Sequence, residues 1–237
     1  MTIAEFVSDT YLKSTGKTTA LTTGSKYNRI IALGDYYQRR WAREPGTDWN
    51  SLYNPLYQIG NVSATDTYDI DPSTVRKVSD REGDVVRIVW SDGVGYTDYD
   101  VVAANALKDY YAGVNKESAM GNYCARIGND IVFNKKFTSS SQEYGGKIYV
   151  PVYIYPEAIT SDNTDEDEVQ VDDPDWLVTR VAAEYVRNDI TRRSRYPELL
   201  QEANEILARM KDDNEGQIDR VNTPWTPFSG LGDSTWS

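Results

Sequence analysis

The stretch that decides the fold runs from Asp172 to Met210 and reads DDPDWLVTRVAAEYVRNDITRRSRYPELLQEANEILARM. It holds the longest helix-period signal in a chain otherwise rich in short strands and turns. Asp172 and Asp173 precede Pro174, which suits a helix start: an early proline forfeits no intrahelical bond, and carboxylates meet the positive end of the macrodipole. Val178, Val181, Ala182 and Tyr185 recur at helical spacing while Arg180, Glu184, Arg187 and Asn188 fall elsewhere on the wheel. The helix is therefore amphipathic. After the basic connection Thr191-Arg192-Arg193-Ser194-Arg195-Tyr196, a second helix places Leu199, Ala203, Ile206, Leu207 and Met210 at i, i+4, i+7, i+8 and i+11. So short a connection predicts an antiparallel pair. Full burial of Leu199, Ile206, Leu207 and Met210 contributes at most about 1.5–3 kcal/mol each. That holds a hairpin packed on something, not a hairpin alone.

Upstream, Thr2 and Glu5 form a capping box, and Ile3, Phe6, Val7 and Tyr11 make the apolar face of a short helix that Gly16 ends. A longer helix over 25–44 carries Tyr27, Ile30, Ile31, Gly34, Tyr37 and Trp41 on one stripe, read as core, and stops at Pro45-Gly46. From Leu56 to about Thr160 the period changes to two. Asp66–Asp71, Ser73–Val78 and Asp84–Trp90 read as strands, Ser91-Asp92-Gly93 as a turn, and Val101–Tyr111 as a short helix. Tyr123–Arg126 and Ile131–Phe133 flank a hairpin tip at Gly128-Asn129. Lys147–Tyr155 is the clearest strand, with Ile148, Val150, Val152 and Ile154 facing one way and Tyr149, Tyr153 and Tyr155 the other.

The expected fold class is α+β: a helical bundle built from N- and C-terminal helices, with an inserted mostly antiparallel β-domain and an extended C-terminal arm. The boundaries are 1–55 for the N-terminal helices, 56–160 for the β-rich insertion, 161–215 for an acidic loop and the helical hairpin, and 216–237 for the arm. In the arm, Thr223-Pro224-Trp225-Thr226-Pro227 and Gly230-Leu231-Gly232 preclude a helix. Yet Trp225, Phe228, Leu231 and Trp236 are too apolar for water. The segment is either a disordered terminus or an arm that orders on another chain.

Composition excludes much. Of 237 residues, 25 are basic and 37 acidic, a net charge of −12 that opposes a sequence-reading nucleic-acid binder. The absence of histidine removes Ser-His-Asp and Cys-His catalysis and His-ligated zinc together, and the single Cys124 permits no intrachain disulfide. Neither catalytic residues nor a cofactor nor a metal is expected. No apolar run approaches the ~20 residues that span a bilayer, and the polar N-terminus does not read as a signal peptide, so a cytoplasmic protein is expected. The 18 tyrosines and 6 tryptophans suit surfaces that bury large side chains against partners. Gly16-Lys17-Thr18-Thr19 imitates the end of a phosphate loop, but the first glycine of that motif falls on Tyr11 and a helix precedes it. Asp162, Asp165, Glu166, Asp167 and Glu168 lack the glycine and spaced glutamate of a calcium loop and read as a solvated acidic run. Arg192, Arg193 and Arg195 suit phosphate contact, helix C-capping or an intersubunit salt bridge, the last two better in so tight a turn.

An aspartate-rich loop, then Pro174, Trp176-Leu177, Ala182-Ala183-Glu184, an Asp189-x-x-Arg192 turn, Leu199-Leu200, Met210, Asn214 and a loose Gly/Pro/Trp tail form a layout. It resembles the C-terminal half of head-to-tail connector (adaptor) proteins of tailed bacteriophages, whose β-rich interruption extends the likeness over most of the chain. The resemblance implies a viral structural protein of the virion neck, assembled in the host cytoplasm and not an enzyme. Such a protein forms an oligomeric ring, a dodecamer matching the portal, extends the DNA channel, and offers the next tail or nozzle component an attachment surface. It implies that Trp225, Phe228, Leu231 and Trp236 dock on the portal protein, while Arg192, Arg193 and Arg195 meet neighbouring subunits. Genomic DNA would pass without sequence-specific contact, repelled by an acidic wall. The competing expectations are a β-domain module for carbohydrate binding or tail-fibre attachment, with Trp90 as its platform, and a His-free glycosidase using two carboxylates.

Overall fold

The computed structural model describes residues 1–18, 21–81, 83–110, 121–161 and 167–221. In chain order its elements are α1 (Ile3–Thr15), α2 (Ser25–Ala42), β1 (Tyr53–Asn61), β2 (Thr67–Asp69), β3 (Val75–Val78), β4 (Val85–Val89), β5 (Tyr96–Val101), α3 (Ala104–Tyr110), β6 (Tyr123–Ile127), β7 (Asp130–Phe133), β8 (Lys147–Ile154), α4 (Pro174–Arg187) and α5 (Tyr196–Val221). Short 3-10 turns lie at Asn50–Leu52 and Arg193–Arg195. The chain divides into two compact units, one of Met1–Tyr37 with Ile159–Ser237 and one of Gln38–Ala158.

In the first unit α1 begins at its capping box, Thr2 Oγ1 accepting from Glu5 N–H at 3.2 Å and Glu5 Oε2 from Thr2 N–H at 2.9 Å. It ends at Gly16, whose φ of 72° lets its N–H reach the Leu12 carbonyl. The buried side chains of α1, Ile3, Phe6, Val7 and Tyr11, pack toward α4. α4 starts on Asp173, which accepts the Asp175 N–H, and buries Trp176, Leu177, Val178, Val181 and Ala182. α5 lies along it, with Leu199, Ala203, Ile206, Met210 and Asn214 buried at nearly regular spacing. Lys13 ties three helices together, donating at 2.7 Å to both Thr179 Oγ1 of α4 and Glu202 Oε1 of α5.

The second unit is one eight-stranded sheet in the order β1-β8-β4-β5-β6-β7-β2, with β3 also on β8. β8 is its spine: β1 runs along one edge, while β4 takes Lys147–Tyr149 and β3 takes Val152–Ile154 on the other. A proline inside such a strand forfeits a ladder bond. Opposite Pro151 the register of β1 slips, Asn54 pairing with Val152 and Tyr57 with Val150, so Pro55 and Leu56 bulge where neither proline has an N–H to lose. β5 and β6 pair in parallel, with α3 in the connection. The core gathers Val86, Ile88, Tyr99, Cys124, Ile131, Phe133, Phe137, Ile148, Val150 and Val152, all fully buried.

This corrects the expected fold class. The chain is not a helical bundle with an inserted mostly antiparallel β-domain, but a mixed α/β fold dominated by a curled eight-stranded sheet, with five helices among the described residues. Two physical causes stand out. The segment 53–61, which carries Pro55 and Gly60 and so has no clean alternation, is recruited by β8 as a full strand despite two register shifts. The aromatic and β-branched side chains of strands distant in sequence then pool on the sheet, in a core cluster that includes Tyr68, Val86, Ile88, Tyr99, Phe133 and Val150. The arm also differs at its start, since α5 continues through Gly216 to Val221. One glycine costs a helix only about 1 kcal/mol, which the long stretch of α5 before it absorbs.

Candidate functional site

The turn between α4 and α5 is built by Asp189. Its Oδ1 accepts the Thr191 N–H at 2.9 Å and the Thr191 hydroxyl at 2.7 Å, and its Oδ2 accepts from Arg192 at 2.8 Å. Donation by the Thr191 hydroxyl, then its N–H, holds the carboxyl below its ordinary range, with Arg192 adding to the effect. The Asp189-x-x-Arg192 pair is thus a turn staple. Arg192 is half-buried and committed to it, whereas Arg193 and Arg195 are exposed and, among the described residues, meet no carboxylate at ion-pair distance. Ile190 stands beside them, 96% exposed.

Next to this turn lies a notch of about 510 Å³ lined by Tyr11, Thr15, Lys17, Lys26, Arg29, Tyr185, Asn188 and Arg192, among others. Arg29 lies over the Tyr185 ring at 4.9 Å and donates to the Tyr185 carbonyl at 3.3 Å, so it caps the end of α4. Lys26 sits 5.7 Å from the Tyr11 ring centre. Lys17 and Lys26 reach no carboxylate among the described residues. The sequence reading missed Lys17, Lys26 and Arg29, because they are scattered over the end of α1 and the start of α2 and converge only through packing. The phosphate-loop imitation dissolves in the same place: Gly16 is a helix C-cap, and Lys17 follows it onto the surface.

A second groove, of about 710 Å³, opens at the other end of the same unit. It is lined by Asp173, Asp175, Glu202 and Glu205, with Lys13, Arg209, Ile206 and Ala208. Lys13 neutralises Glu202, and Gln201 donates to Glu205 at 2.9 Å. Four carboxylates to two cations leave the groove negative. No group of three or more metal-ligating side chains occurs among the described residues.

In the sheet unit the polar clusters are spent internally. Arg76 donates to the Ala42 and Thr47 carbonyls and pairs with Asp48, clamping that loop on β3. Arg81 stacks over Tyr53 at 4.3 Å and Tyr153 at 5.3 Å and bonds Tyr153 Oη at 2.7 Å. Glu143, 7% exposed, accepts from Lys135 at 2.8 Å and from Tyr99 at 3.1 Å. Burial alone would raise its carboxyl, but the Lys135 bond and the other donors together hold it below its ordinary value. Burial pushes the Cys124 thiol up to about 12, with Asp100 adding to it, so no thiolate nucleophile exists at neutral pH. Trp90 gives its N–H to Thr97 Oγ1 at 3.0 Å and packs so closely on Gly95 that a Cβ there would lie 1.9 Å from its ring. That face of the indole is covered by its own hairpin.

Trp225, Phe228, Leu231 and Trp236, expected to dock on a portal, lie outside the described residues, as does most of the acidic run. No described helix is long and apolar enough to cross a membrane. Compared with known proteins, the chain matches no protein-family model and no curated protein, so the functional reading rests on these side chains.

Proposed function

We propose that this chain is a non-catalytic structural adaptor of a tailed-phage virion, a ring-forming subunit that attaches beneath the portal and carries the DNA channel toward the tail. The supporting observation is the turn between α4 and α5, within the stretch that carries the family resemblance. It presents a nearly fully exposed Ile190 beside Arg193 and Arg195, neither of which meets a carboxylate among the described residues. An isolated chain gains nothing from such an arrangement; a chain with neighbours does. The net charge of −12 suits a channel wall along which duplex DNA slides.

The test is to mix the full chain with the portal protein of the same virion and image the particles by negative stain. A ring of density below the portal, with twelve-fold symmetry, is the expected result. Particles without added density, or the chain bound elsewhere on the virion, would sink the reading.

A further inference from the structure

The helical unit carries opposite charge at its two ends. At the C-terminal end of α4, Lys17, Lys26, Arg29 and Arg192 line a notch together with the exposed Ile190, with Asp189 as the one carboxylate in the lining, and the exposed Arg193 and Arg195 follow in the same turn. At the N-terminal end, Asp173, Asp175, Glu202 and Glu205 rim a groove whose lining includes the apolar Ile206 and Ala208. Six cations on one patch of a chain with net charge −12 are not an average surface. The 14 residues of α4 span about 20 Å, so one copy's arginines cannot fill its own groove.

We propose that the basic end of the helical unit docks in the acidic groove of a second copy of this chain. Arg193 and Arg195 face the second copy's Asp175 and Glu205, and Ile190 reaches the exposed Ala208 in the lining of that groove. The knob and the groove are different surfaces of one unit, so the contact is heterologous and repeats head to tail, the geometry that closes into rings. Charge fixes its register and excludes the unmatched pairings, basic end on basic end and acidic groove on acidic groove. The inference rests on the adaptor reading only for the ring as its product; the contact stands on the two surfaces. Duplex DNA is the other polyanion that fits a basic patch, and the overall negative charge disfavours it.

The experiment is sedimentation velocity of the full chain over a wide concentration range, with R193E/R195E, D175K/E205K and the variant combining all four exchanges. All four side chains substituted are on the surface or at its rim, and circular dichroism melts confirm that each variant folds. The wild type is expected to form concentration-dependent oligomers. Each reversed pair should weaken association about tenfold or more, with the neutral R193Q/R195Q in between. In an equimolar mixture of the two, the intact knob of one variant meets the intact groove of the other and the reversed knob meets the reversed groove, so alternating mixed oligomers should form where neither variant assembles alone. The fourfold variant should regain oligomers. A wild type that stays monomeric to millimolar concentration, reversals without effect, or a mixture that fails to pair would each overturn the proposal. So would binding of a duplex oligonucleotide, lost in R193E/R195E, without any self-association. Portal attachment is a separate readout, so the adaptor reading can fail or survive independently.

Discussion

Gly34 shows at one position how packing outweighs helix propensity. It lies inside α2, where alanine would gain about 1 kcal/mol of propensity. A Cβ there, however, would stand 2.7 Å from a ring carbon of the fully buried Phe6. Overpacking of this kind costs about 1–3 kcal/mol, so Gly34→Ala should leave the protein less stable, with a lower urea midpoint and an unchanged slope. An increase in the midpoint would show that Phe6 yields freely. Glu143 gives a prediction with a pH sign. Its folded carboxyl titrates below the ordinary value of 4.5, so its contribution is present above that pH and is lost as pH falls through the folded value. Glu143→Gln should cost about 1–3 kcal/mol at pH 7, since the bond to Lys135 is charge-assisted. The wild-type and variant stability curves should converge on acidification below about pH 4.5, and parallel curves would remove Glu143 from the acid response.

At the scale of elements, β8 carries the sheet. It is bonded along both edges, and Ile148 is fully buried between Gly60 of β1 and Ile88 of β4. Ile148→Ala should cost about 2–5 kcal/mol, more than the same truncation at the edge of a strand ladder. Denaturant unfolding followed by tryptophan fluorescence measures it, and a loss under 1 kcal/mol would mean that β8 is not the keystone of this core. Tyr153 explains why alternation in β8 is only half legible. The sequence places it opposite the Ile148-Val150-Val152 face, yet it is just as buried, because Arg81 and Tyr53 stack on it. Long cationic side chains make a second, thinner covering that hydropathy patterns do not register.

For the whole molecule, the adaptor reading assigns residues 222–237 to a partner, and so predicts a separation of fold from assembly. Deleting Asn222–Ser237 should leave thermal unfolding nearly unchanged and abolish stable attachment to the portal, because aromatic anchors dominate interfaces and a ring multiplies them. Calorimetry and co-sedimentation with the portal read the two effects. A truncated chain that attaches as well as the full one, or that melts several degrees lower, would contradict the assignment.

Local chemistry was legible without coordinates wherever it acts over a few residues. The Thr2–Glu5 capping box, the Gly16 stop, the Gly128-Asn129 hairpin tip, the Asp173-Pro174 helix start and the Leu199–Met210 stripe all appear where spacing and backbone preference put them. What long-range pairing decides was not legible. A stretch with Pro55 and Gly60 carries no strand period of its own and becomes β1 only because β8 offers an open edge and a bulge accommodates the prolines. By the same cause the balance between a bundle and a sheet tipped toward the sheet, since strand partners far apart in sequence pool one large core. The charged ends of the helical unit are also tertiary: Lys17, Lys26 and Arg29 join Arg192 only after α1, α2 and α4 pack, and side chains so distant in sequence share a surface by folding alone.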